Sequence, residues 1–323
     1  MINIIPSLSN YNISDSFFQI SGLLHVPIFL KMEGWNMSGS IKLKPAVKII
    51  NELEKQGKIN PSSKIIESSS GNFGIALSVI AAERKYKFTC VTDPNNSKDS
   101  IAFMRALGTE IIIVSDRDEN GGFLGTRIKK IKELCKQDSN LIWVNQYANP
   151  NNFWSHYETT APEILSKFKK VDYLFIGAGT TGTLMGCTLY FRKYSPNTKI
   201  IAIDTDGSVT FKHPSKKRYI PGIGTSRRPE ILDDSIINDH ILIPESETIR
   251  MCHTMARQGF LCGGSTGTVL AGISRYSTNI TTNQIVVTIA PDLGHKYLNT
   301  IYNNDWLARH FPDYQNFNEV RYE

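Results

Sequence analysis

Short runs of β-branched and aromatic residues alternate with longer amphipathic stretches along most of the chain. The runs have the length and composition of strands, and they are residues 64–68, 86–93, 110–116, 141–146, 173–179, 199–206 and 284–291. The amphipathic stretches have the length of helices, and they are residues 72–84, 98–107, 123–137, 154–170, 181–194, 246–258 and 267–278. Strands that alternate with helices predict a mainly parallel sheet covered on both faces. Because ligands of such folds bind beyond the carboxyl ends of the strands, functional residues are expected in the strand-to-helix loops.

Length and composition set the broad class of the protein. The 323 residues are enough for two domains of ordinary size, or for one large α/β unit with a cleft. Hydrophobic residues make up 41% of the chain and charged residues 20%, as is typical of soluble globular proteins. No apolar run has the length of a membrane span, and residues 1–10 lack the features of a signal peptide. We therefore expect a cytoplasmic protein without a membrane partner.

Charge and cysteine usage exclude several classes of binding site. The net charge of +6 is a modest excess, and its one dense cluster, residues 212–219, lacks the alternating aromatics that stack on bases. We interpret that segment as a solvated loop and expect no nucleic-acid partner. The excess would favour small anions such as phosphates and amino-acid carboxylates. The five cysteines form no C-x-x-C pair, which predicts reduced, mostly buried thiols and no metal.

A lysine follows a run of small, turn-prone residues in NMSGSIKLKPA, residues 36–46. A helical pattern resumes after it. On this stretch alone, two interpretations remain. Lys42 and Lys44 are solvated charges at a helix start, or one of them is directed inward as a nucleophile.

Three glycine-rich loops carry candidate binding residues. ESSSGNFGIA at 67–76 and GAGTTGTLMG at 177–186 each lead from a strand into a helix, where successive N–H groups bind anions. The second loop also fits G-x-G-x-x-G, but only Asp204 loosely matches the acidic residue of a dinucleotide site, so that evidence is weak. The third loop, GFLCGGSTGTVLAG at 259–272, places Ser265 after two glycines, which by itself also fits tight helix packing. Together, the lysine, the anion loops and the serine suit a phosphorylated aromatic aldehyde.

Five segments of the chain resemble, in order and spacing, the fold-type II pyridoxal-phosphate enzymes, the family of cysteine synthase and cystathionine β-synthase. The segments are KMEGWNMSGSIK, SSGNFG, NQYANPNN, GTTGT and CGGSTG. The resemblance covers nearly the whole chain and implies a two-domain, tryptophan-synthase-β-like α/β fold with mainly parallel sheets. Pyridoxal 5'-phosphate is then expected in the interdomain cleft. The smaller domain is expected at 35–145 with the substrate-carboxylate loop, the larger at 1–34 plus 146–323 with the phosphate loop, and the assembly as a homodimer.

The same resemblance implies a role for individual residues. Lys42 is implied as the Schiff-base residue and general base, Asn72 as the contact to the cofactor's phenolic oxygen, and Ser265 as the partner of the pyridine nitrogen. A neutral serine there leaves the ring largely unprotonated, which suits α,β-elimination better than transamination. The residues implied to hold the cofactor phosphate are Gly179, Thr180, Thr181, Gly182 and Thr183. Those implied to contact substrate are Ser69, Ser70, Gly71, Asn72, Phe73, Gln146, Tyr147 and Gly222.

The chain departs from typical cysteine synthases at several positions. KLKPA stands where they carry an Asp-Arg pair after the lysine, and Phe73 replaces a threonine. Arg227 and Arg228 follow YIPGIG, in the segment similar to the family's closing loop, and Arg127 lies near a helix start. Extra guanidiniums would suit a second or larger anionic substrate, unless the three side chains point into solvent.

The combination of SGSIKLKPA with PGIGTSRRPEI most resembles the N-(2-amino-2-carboxyethyl)-L-glutamate synthases, which serve 2,3-diaminopropionate formation for siderophores and peptide antibiotics. That resemblance implies O-phospho-L-serine as the first substrate and L-glutamate as the nucleophile. Cysteine synthase, using O-acetylserine or O-phosphoserine with sulfide, is the nearest alternative. A catalytically idle scaffold and a serine or threonine dehydratase are further alternatives.

Overall fold

A computed structural model describes residues 7–11, 15–119 and 121–314, which form two β-sheets. The larger sheet has the order β1-β2-β10-β7-β8-β9, and its strands are β1 Phe17–Ile20, β2 Ile28–Met32, β7 Tyr173–Gly177, β8 Lys199–Thr205, β9 Asp239–Ile243 and β10 Val286–Ala290. The smaller sheet has the order β5-β4-β3-β6, and its strands are β3 Lys64–Ser68, β4 Lys87–Thr92, β5 Glu110–Ile113 and β6 Leu141–Trp143. Every pairing is parallel except that of β1 with β2.

Helices connect and cover the strands. They are α1 Leu43–Lys55, α2 Asn72–Arg84, α3 Lys98–Ala106, α4 Leu124–Gln137, α5 Asn151–Glu158, α6 Thr160–Lys167, α7 Gly182–Tyr194, α8 Glu245–Arg257, α9 Gly264–Arg275 and α10 Asn304–His310. Short 3₁₀ segments occur at Leu8–Asn10, Asp234–Ile236, Ser277–Asn279 and Gly294–Tyr297. In the described part of the chain, no helix is both long and apolar enough to cross a membrane.

The core follows from the apolar runs of the central strands. All five residues of β10 are buried, and its register sets Val286 against Ile28 of β2 on one side and against Tyr173 of β7 on the other. A strand buried on both faces has a continuous apolar sequence, as VVTIA does. Separate hydrophobic clusters cover the two faces of the larger sheet and the helices of the smaller one. The mixed α/β fold with mainly parallel sheets is therefore as predicted.

Several elements differ from the sequence prediction. β1, β2 and β9 were not predicted. β2 is IFLKM, and its apolar run is interrupted by Lys31, which is nevertheless fully buried because carboxylates pair with it. Residues 154–170, predicted as one helix, fall largely in two helices that meet at Thr159. The backbone there is non-helical, and the Thr159 hydroxyl donates to the Ser155 carbonyl (2.6 Å), a bond that competes with helix geometry.

The domain boundaries remain a prediction. All four strands of the smaller sheet lie between residues 64 and 143, inside the predicted 35–145 domain. The strands of the larger sheet lie before residue 33 or after residue 172. Parts of the predicted larger domain, residues 1–6, 12–14 and 315–323, lie outside the described residues.

Candidate active site

The lysine turn lies beside the carboxyl end of β10. Asn36 shapes it, because its Oδ1 accepts from the Ser38 amide (3.0 Å) and its Nδ2 donates to the Ser40 carbonyl (2.8 Å). Gly39 supplies the left-handed backbone that this turn requires, with φ of +64°. The Ile41 amide donates to the carbonyl that follows β10 (2.7 Å). The next residue, Lys42, is thereby fixed at the start of α1 and at the edge of the larger sheet.

Lys42 has an unusual electrostatic environment. The side chain is half-buried, and among the described residues no carboxylate oxygen lies within 4.0 Å of its Nζ. Loss of hydration lowers the pKa of Lys42 from 10.5 to about 8, although the negative charge of Asp292 raises the pKa in part. A substantial fraction of neutral amine is therefore present near pH 8. The neutral amine is the form that attacks a carbonyl carbon or takes up a proton.

Lys44, two residues further on, has the opposite environment. Its Nζ pairs with Glu33 (2.7 Å) and Glu163 (2.9 Å), and Lys31 pairs with the same two carboxylates. The Lys44 ammonium is 7% exposed and also donates to the Thr160 hydroxyl (3.2 Å). The interpretation of Lys42 and Lys44 as solvated charges is therefore wrong for both. Of the two lysines, only Lys42 lacks a carboxylate at ion-pair distance, which makes it the better nucleophile.

The loop predicted to bind a substrate carboxylate begins directly after β3. The Ser69 hydroxyl accepts from the Gly71 (3.2 Å) and Gly74 (2.8 Å) amides, so it shapes the loop that it belongs to. Ser70, the next residue of the loop, lines a cavity that also contains Arg127 in its lining. Phe73 is buried, and its side chain packs in the hydrophobic cluster of the smaller sheet. The remaining loop amides belong to the N-terminal turn of α2, where N–H groups lack intrahelical partners.

Asn72 is held by two residues that follow β10. Its Nδ2 donates to Asp292 (2.7 Å), and its Oδ1 accepts from Lys296 (2.8 Å). Asp292 also accepts from the Tyr297 hydroxyl (2.9 Å), and burial lowers the pKa of Lys296 more than Asp292 raises it. The amide orientation of Asn72 is thereby fixed. Sequence analysis named neither Asp292 nor Lys296, although their position after a central parallel strand is a signal that could have found them.

The predicted phosphate loop forms the N-terminus of α7. The turn requires a left-handed residue at Thr181 (φ +63°), whose buried hydroxyl has no hydrogen-bond partner among the described residues. Asn152 donates to the Thr180 hydroxyl (3.1 Å), and the Thr183 hydroxyl lies 3.2 Å from the Nε2 of His156. Burial, with the lysine charges nearby, holds the pKa of His156 well below its usual value, so this imidazole is neutral.

Two glycines of this loop are required by close packing. A Cβ on Gly182 would lie 2.0 Å from the Asn152 Oδ1, and a Cβ on Gly179 would lie 3.0 Å from the Gly222 carbonyl. The helix N-terminus, its free N–H groups and the unpartnered Thr181 hydroxyl together fit a phosphate group. With the Lys42 amine at the same edge of the larger sheet, the donor set fits a phosphorylated aldehyde.

Ser265 lies in the first turn of α9, in a corner without space for larger residues. It is 6% exposed. A Cβ on Gly263 would lie 1.9 Å from the Asp292 Oδ1, and one on Gly264 would lie 2.6 Å from Ile220. The serine is therefore close to the same Asp292 that holds Asn72. The structure brings the lysine turn, the carboxylate loop and the serine corner together around the end of β10.

Gln146 connects the predicted pocket to the smaller sheet. Its Nε2 donates to the Ser68 carbonyl (2.9 Å), and its amide donates to Glu67 (3.3 Å). Burial raises the pKa of Glu67 to about 7, although the hydrogen bonds that Glu67 accepts from backbone N–H groups lower the pKa in part. Gln146 therefore holds the strand end that leads into the carboxylate loop. Tyr147, the next residue, lines the adjacent cavity.

A cavity of about 140 Å³ lies between loops on either side of the site. Its lining includes Ser70, Asp93 and Arg127 together with the segment 215–226, which contains Gly222. Among the described residues, Asp93 is the one acidic residue that lines it, whereas the basic residues are Arg117, Arg127, Lys216, Lys217 and Arg218. The cavity is therefore positive and suits an anion.

The arginines that line this cavity are not those predicted, apart from Arg127. Arg127 is buried, with its Nη1 3.4 Å from the Asp93 carboxylate. The basic cluster 212–219, interpreted as a solvated loop, instead contributes five residues to the cavity lining, three of them basic, so that interpretation was incomplete. Arg227 pairs with Glu230 and Arg228 pairs with Asp234, and both line a separate small cavity with Tyr147. Their contact with substrate remains a prediction.

Metal ligands and cysteine pairs were also predicted to be absent. Across the described ranges, no group of three or more His, Cys, Asp or Glu residues could hold a metal ion. All five cysteines are free thiols, and four of them are buried, as predicted.

Comparison with known proteins identifies the family. Residues 17–292 match the family model described as pyridoxal-phosphate dependent enzyme. The chain is 27% identical to O-ureido-L-serine synthase, with a TM-score of 0.85 over 95% of this chain and 100% of that chain. It is 31% identical to a hydrogen sulfide-producing enzyme from Fusobacterium nucleatum, with a TM-score of 0.86 over 91% and 100% of the two chains. It is 27% identical to the O-acetylserine-dependent cystathionine β-synthase from Helicobacter pylori, with a TM-score of 0.84 over 94% and 100%.

These matches agree with the resemblance found in the sequence. They confirm the fold class, the pyridoxal-phosphate cofactor and the assignment as a β-replacement enzyme of the cysteine synthase type. The chain belongs to the family of pyridoxal-phosphate-dependent enzymes.

Proposed function

We propose that the protein joins O-phospho-L-serine and L-glutamate to give N-(2-amino-2-carboxyethyl)-L-glutamate and phosphate, for 2,3-diaminopropionate and siderophore or antibiotic biosynthesis. The observation that carries this proposal is the positive cavity beside Ser70, with five basic residues and one acidic residue. Phosphoserine carries about 1.5 to 2 negative charges on its phosphate at neutral pH. Burying such groups without partners would cost several kcal/mol, so a pocket for two anionic substrates needs matching cations.

The residues of this chain have distinct roles in the proposed reaction. The N–H groups and hydroxyls of residues 179–183 would hold the cofactor phosphate, and the Ser265 side chain would lie beside the ring nitrogen. Pyridoxal phosphate, when bound, supplies an electron sink for the bond broken at the substrate α-carbon. The loop at 69–73 binds the substrate carboxylate with its amides. The Nζ of Lys42 takes up the α-proton, since its lowered pKa leaves part of the amine neutral.

Arg127 is the residue we assign to the anionic groups of the substrates. It lies on the wall of the cavity next to Ser70, and its Nε has no hydrogen-bond partner among the described residues. A guanidinium can bind phosphate or carboxylate through two parallel hydrogen bonds. We further propose a cytoplasmic homodimer with amino-acid substrates, on the basis of family resemblance.

Cysteine synthase activity is the second candidate function. It is favoured by the 31% identity to a hydrogen sulfide-producing enzyme and by the similarity to an enzyme that depends on O-acetylserine. The charge of the cavity argues against it, because sulfide and O-acetylserine together bring fewer anionic groups than phosphoserine and glutamate to a lining that includes five basic residues. An idle scaffold is disfavoured by Lys42, whose unpaired burial has a cost that a binding protein need not bear. A dehydratase would not need the cationic cavity.

A substrate panel tests the proposal. The holoenzyme is supplied with phosphoserine or O-acetylserine, each with glutamate, sulfide or neither, and products are identified by mass spectrometry. We expect the glutamate adduct and phosphate from phosphoserine. Arg127→Gln is expected to slow this reaction tenfold to a thousandfold, equivalent to about 1.4 to 4 kcal/mol, and the reaction of O-acetylserine with sulfide much less.

The matched controls are Arg227→Gln and Arg228→Gln, since both residues pair with nearby carboxylates outside the larger cavity. Because the sequence predicts that at least one of Arg127, Arg227 and Arg228 contacts substrate, a larger loss in Arg227→Gln or Arg228→Gln than in Arg127→Gln would assign the contact to that residue instead. A wild type that makes cysteine efficiently and no glutamate adduct would transfer the assignment to cysteine synthase.

A further inference from the structure

We propose that Arg218 binds the side-chain carboxylate of the nucleophile and so selects a dicarboxylic amino acid; this inference rests on the proposed function. Arg218 belongs to the segment 215–226, which lines the same cavity as Arg127. Both guanidiniums are therefore close enough to the cavity to contact a molecule bound there. Arg127 already has Asp93 as a partner, whereas Arg218 has no carboxylate within 4.0 Å among residues 7–11, 15–119 and 121–314.

The hydrogen bonds of Arg218 leave part of its guanidinium unused. Its Nη1 donates to the Ile223 carbonyl (3.2 Å), which fixes the direction of the side chain. Its Nε is buried and has no hydrogen-bond partner in the described part of the chain. Burying a charged donor without a partner is costly, so such groups in native structures call for a ligand or an ion.

Local packing holds the guanidinium in this position. A Cβ on Gly224 would lie 2.5 Å from the Arg218 Nη1, so the glycine provides the space that the side chain occupies. The Gly224 amide donates to the Ala178 carbonyl (2.8 Å), at the start of the phosphate loop. The segment that carries Arg218 is thereby tied to the cofactor site, and the guanidinium is preorganised at one side of it.

Two carboxyl groups beneath Arg218 compensate its charge only in part. Asp204 accepts from the Thr205 amide (2.8 Å), and Glu245 accepts from the amides of Tyr219 (2.9 Å) and Ile220 (2.6 Å). Burial raises the pKa of Asp204 to about 6 and that of Glu245 to about 7, so near neutral pH Asp204 is mostly ionised whereas a large fraction of Glu245 is protonated. A further anion in the cavity would therefore improve the local charge balance.

The chemistry of the cavity indicates the class of ligand. The first substrate uses the carboxylate loop, so Arg218, which lies outside that loop, is available to the second substrate. A guanidinium presents a planar, two-pronged donor set that matches a carboxylate. Sulfide has no carboxylate that could pair with the guanidinium, and an amino acid with a neutral side chain would leave the guanidinium unpaired.

The test measures the two half-reactions separately in the holoenzyme variant Arg218→Gln. Phosphate release from phosphoserine without a nucleophile is expected to stay within about twofold of wild type. The KM for glutamate is expected to rise about tenfold to a hundredfold, and the wild-type preference for glutamate over glutamine is expected to disappear. The rate with sulfide is expected to be unchanged.

Two further variants keep the result interpretable. Arg218→Lys retains the positive charge but not the two-pronged donor set of the guanidinium. Its KM for glutamate should therefore lie between those of the wild type and Arg218→Gln. A folding defect would not produce this intermediate value. Lys64→Met removes a cation that pairs with Asp138 (2.7 Å) and does not line this cavity, and it should change the KM little. Unchanged KM for glutamate in Arg218→Gln overturns this inference alone. A wild type that forms no glutamate adduct overturns the proposed function instead.

Discussion

Replacing Lys42 with methionine is expected to stabilise the cofactor-free protein while abolishing its reaction with pyridoxal phosphate. The ammonium is half-buried without a carboxylate at ion-pair distance, and its pKa falls from 10.5 to about 8. Methionine keeps most of the aliphatic chain and removes the charge. The folded protein then no longer bears the cost of holding a poorly hydrated ammonium.

The size of the effect follows from the pKa shift. At pH 7 the lysine is protonated in both the folded and unfolded states, so the full cost applies, with an upper limit of ~3 kcal/mol. As pH rises above about 8 the folded state loses the proton first, and the cost declines. At pH 9.5 it is ~1.4 kcal/mol, and it vanishes above 10.5. Wild type should therefore gain stability relative to the variant between pH 8 and 10.5.

The assay compares urea denaturation of the two cofactor-free proteins at pH 7 and pH 9.5. Lys44→Met is the matched control, because removing this ammonium leaves two carboxylates, Glu33 and Glu163, to share the single ammonium of Lys31, which should destabilise the protein. Two lysines only two residues apart should thus respond with opposite signs. If Lys42→Met were no more stable than wild type at pH 7, or gained equally at both pH values, the electrostatic reasoning would be refuted.

Three further predictions concern other parts of the site. Ser265→Asp should retain the cofactor but lose most turnover, since a carboxylate would protonate the ring nitrogen; unchanged absorption spectra and steady-state kinetics would contradict this role. Gly182→Ala should destabilise the protein by about 1–3 kcal/mol because its Cβ overlaps Asn152, and Asn152→Ala in the same chain should restore part of the thermal midpoint. Lys296→Met leaves Asn72 without its donor and should cost about 1–3 kcal/mol in thermal denaturation, with weaker cofactor binding by titration.

The glycine-rich loops could be predicted from the sequence because the local backbone conformation and close packing at these positions require glycine. Gly39 adopts a left-handed backbone, and Gly182 and Gly263 have a neighbouring side-chain oxygen where a Cβ would be. Because these glycines are required within a few residues of a strand end, a strand followed by a glycine-rich segment can be recognised in the sequence. The strands of the parallel sheets could also be predicted, because burial on both faces demands continuous apolar runs, as in β10.

Features that depend on distant partners could not be predicted. Lys31 makes β2 look polar, yet ion pairs with residues as far away as Glu163 bury it completely. Arg218 lies in a basic segment that looks solvated, and its burial depends on Gly224 and on Glu245, 27 positions along the chain. The sequence alone gives the charge of a side chain, but it does not show whether a distant residue of opposite charge pairs with it in the folded protein.

The arrangement of lysines around the site shows how the fold makes one of them reactive. Lys31 and Lys44 are neutralised by two shared carboxylates, and Lys296 is occupied by an amide oxygen and a backbone carbonyl. Asp292, the charge that raises the pKa of Lys42 in part, lies beyond ion-pair distance from the lysine, and its Oδ2 accepts from Asn72 and Tyr297. Because no carboxylate of the described residues is within 4.0 Å of the Lys42 Nζ, desolvation dominates at Lys42. Burial of the Lys42 side chain therefore produces the neutral amine that the chemistry needs.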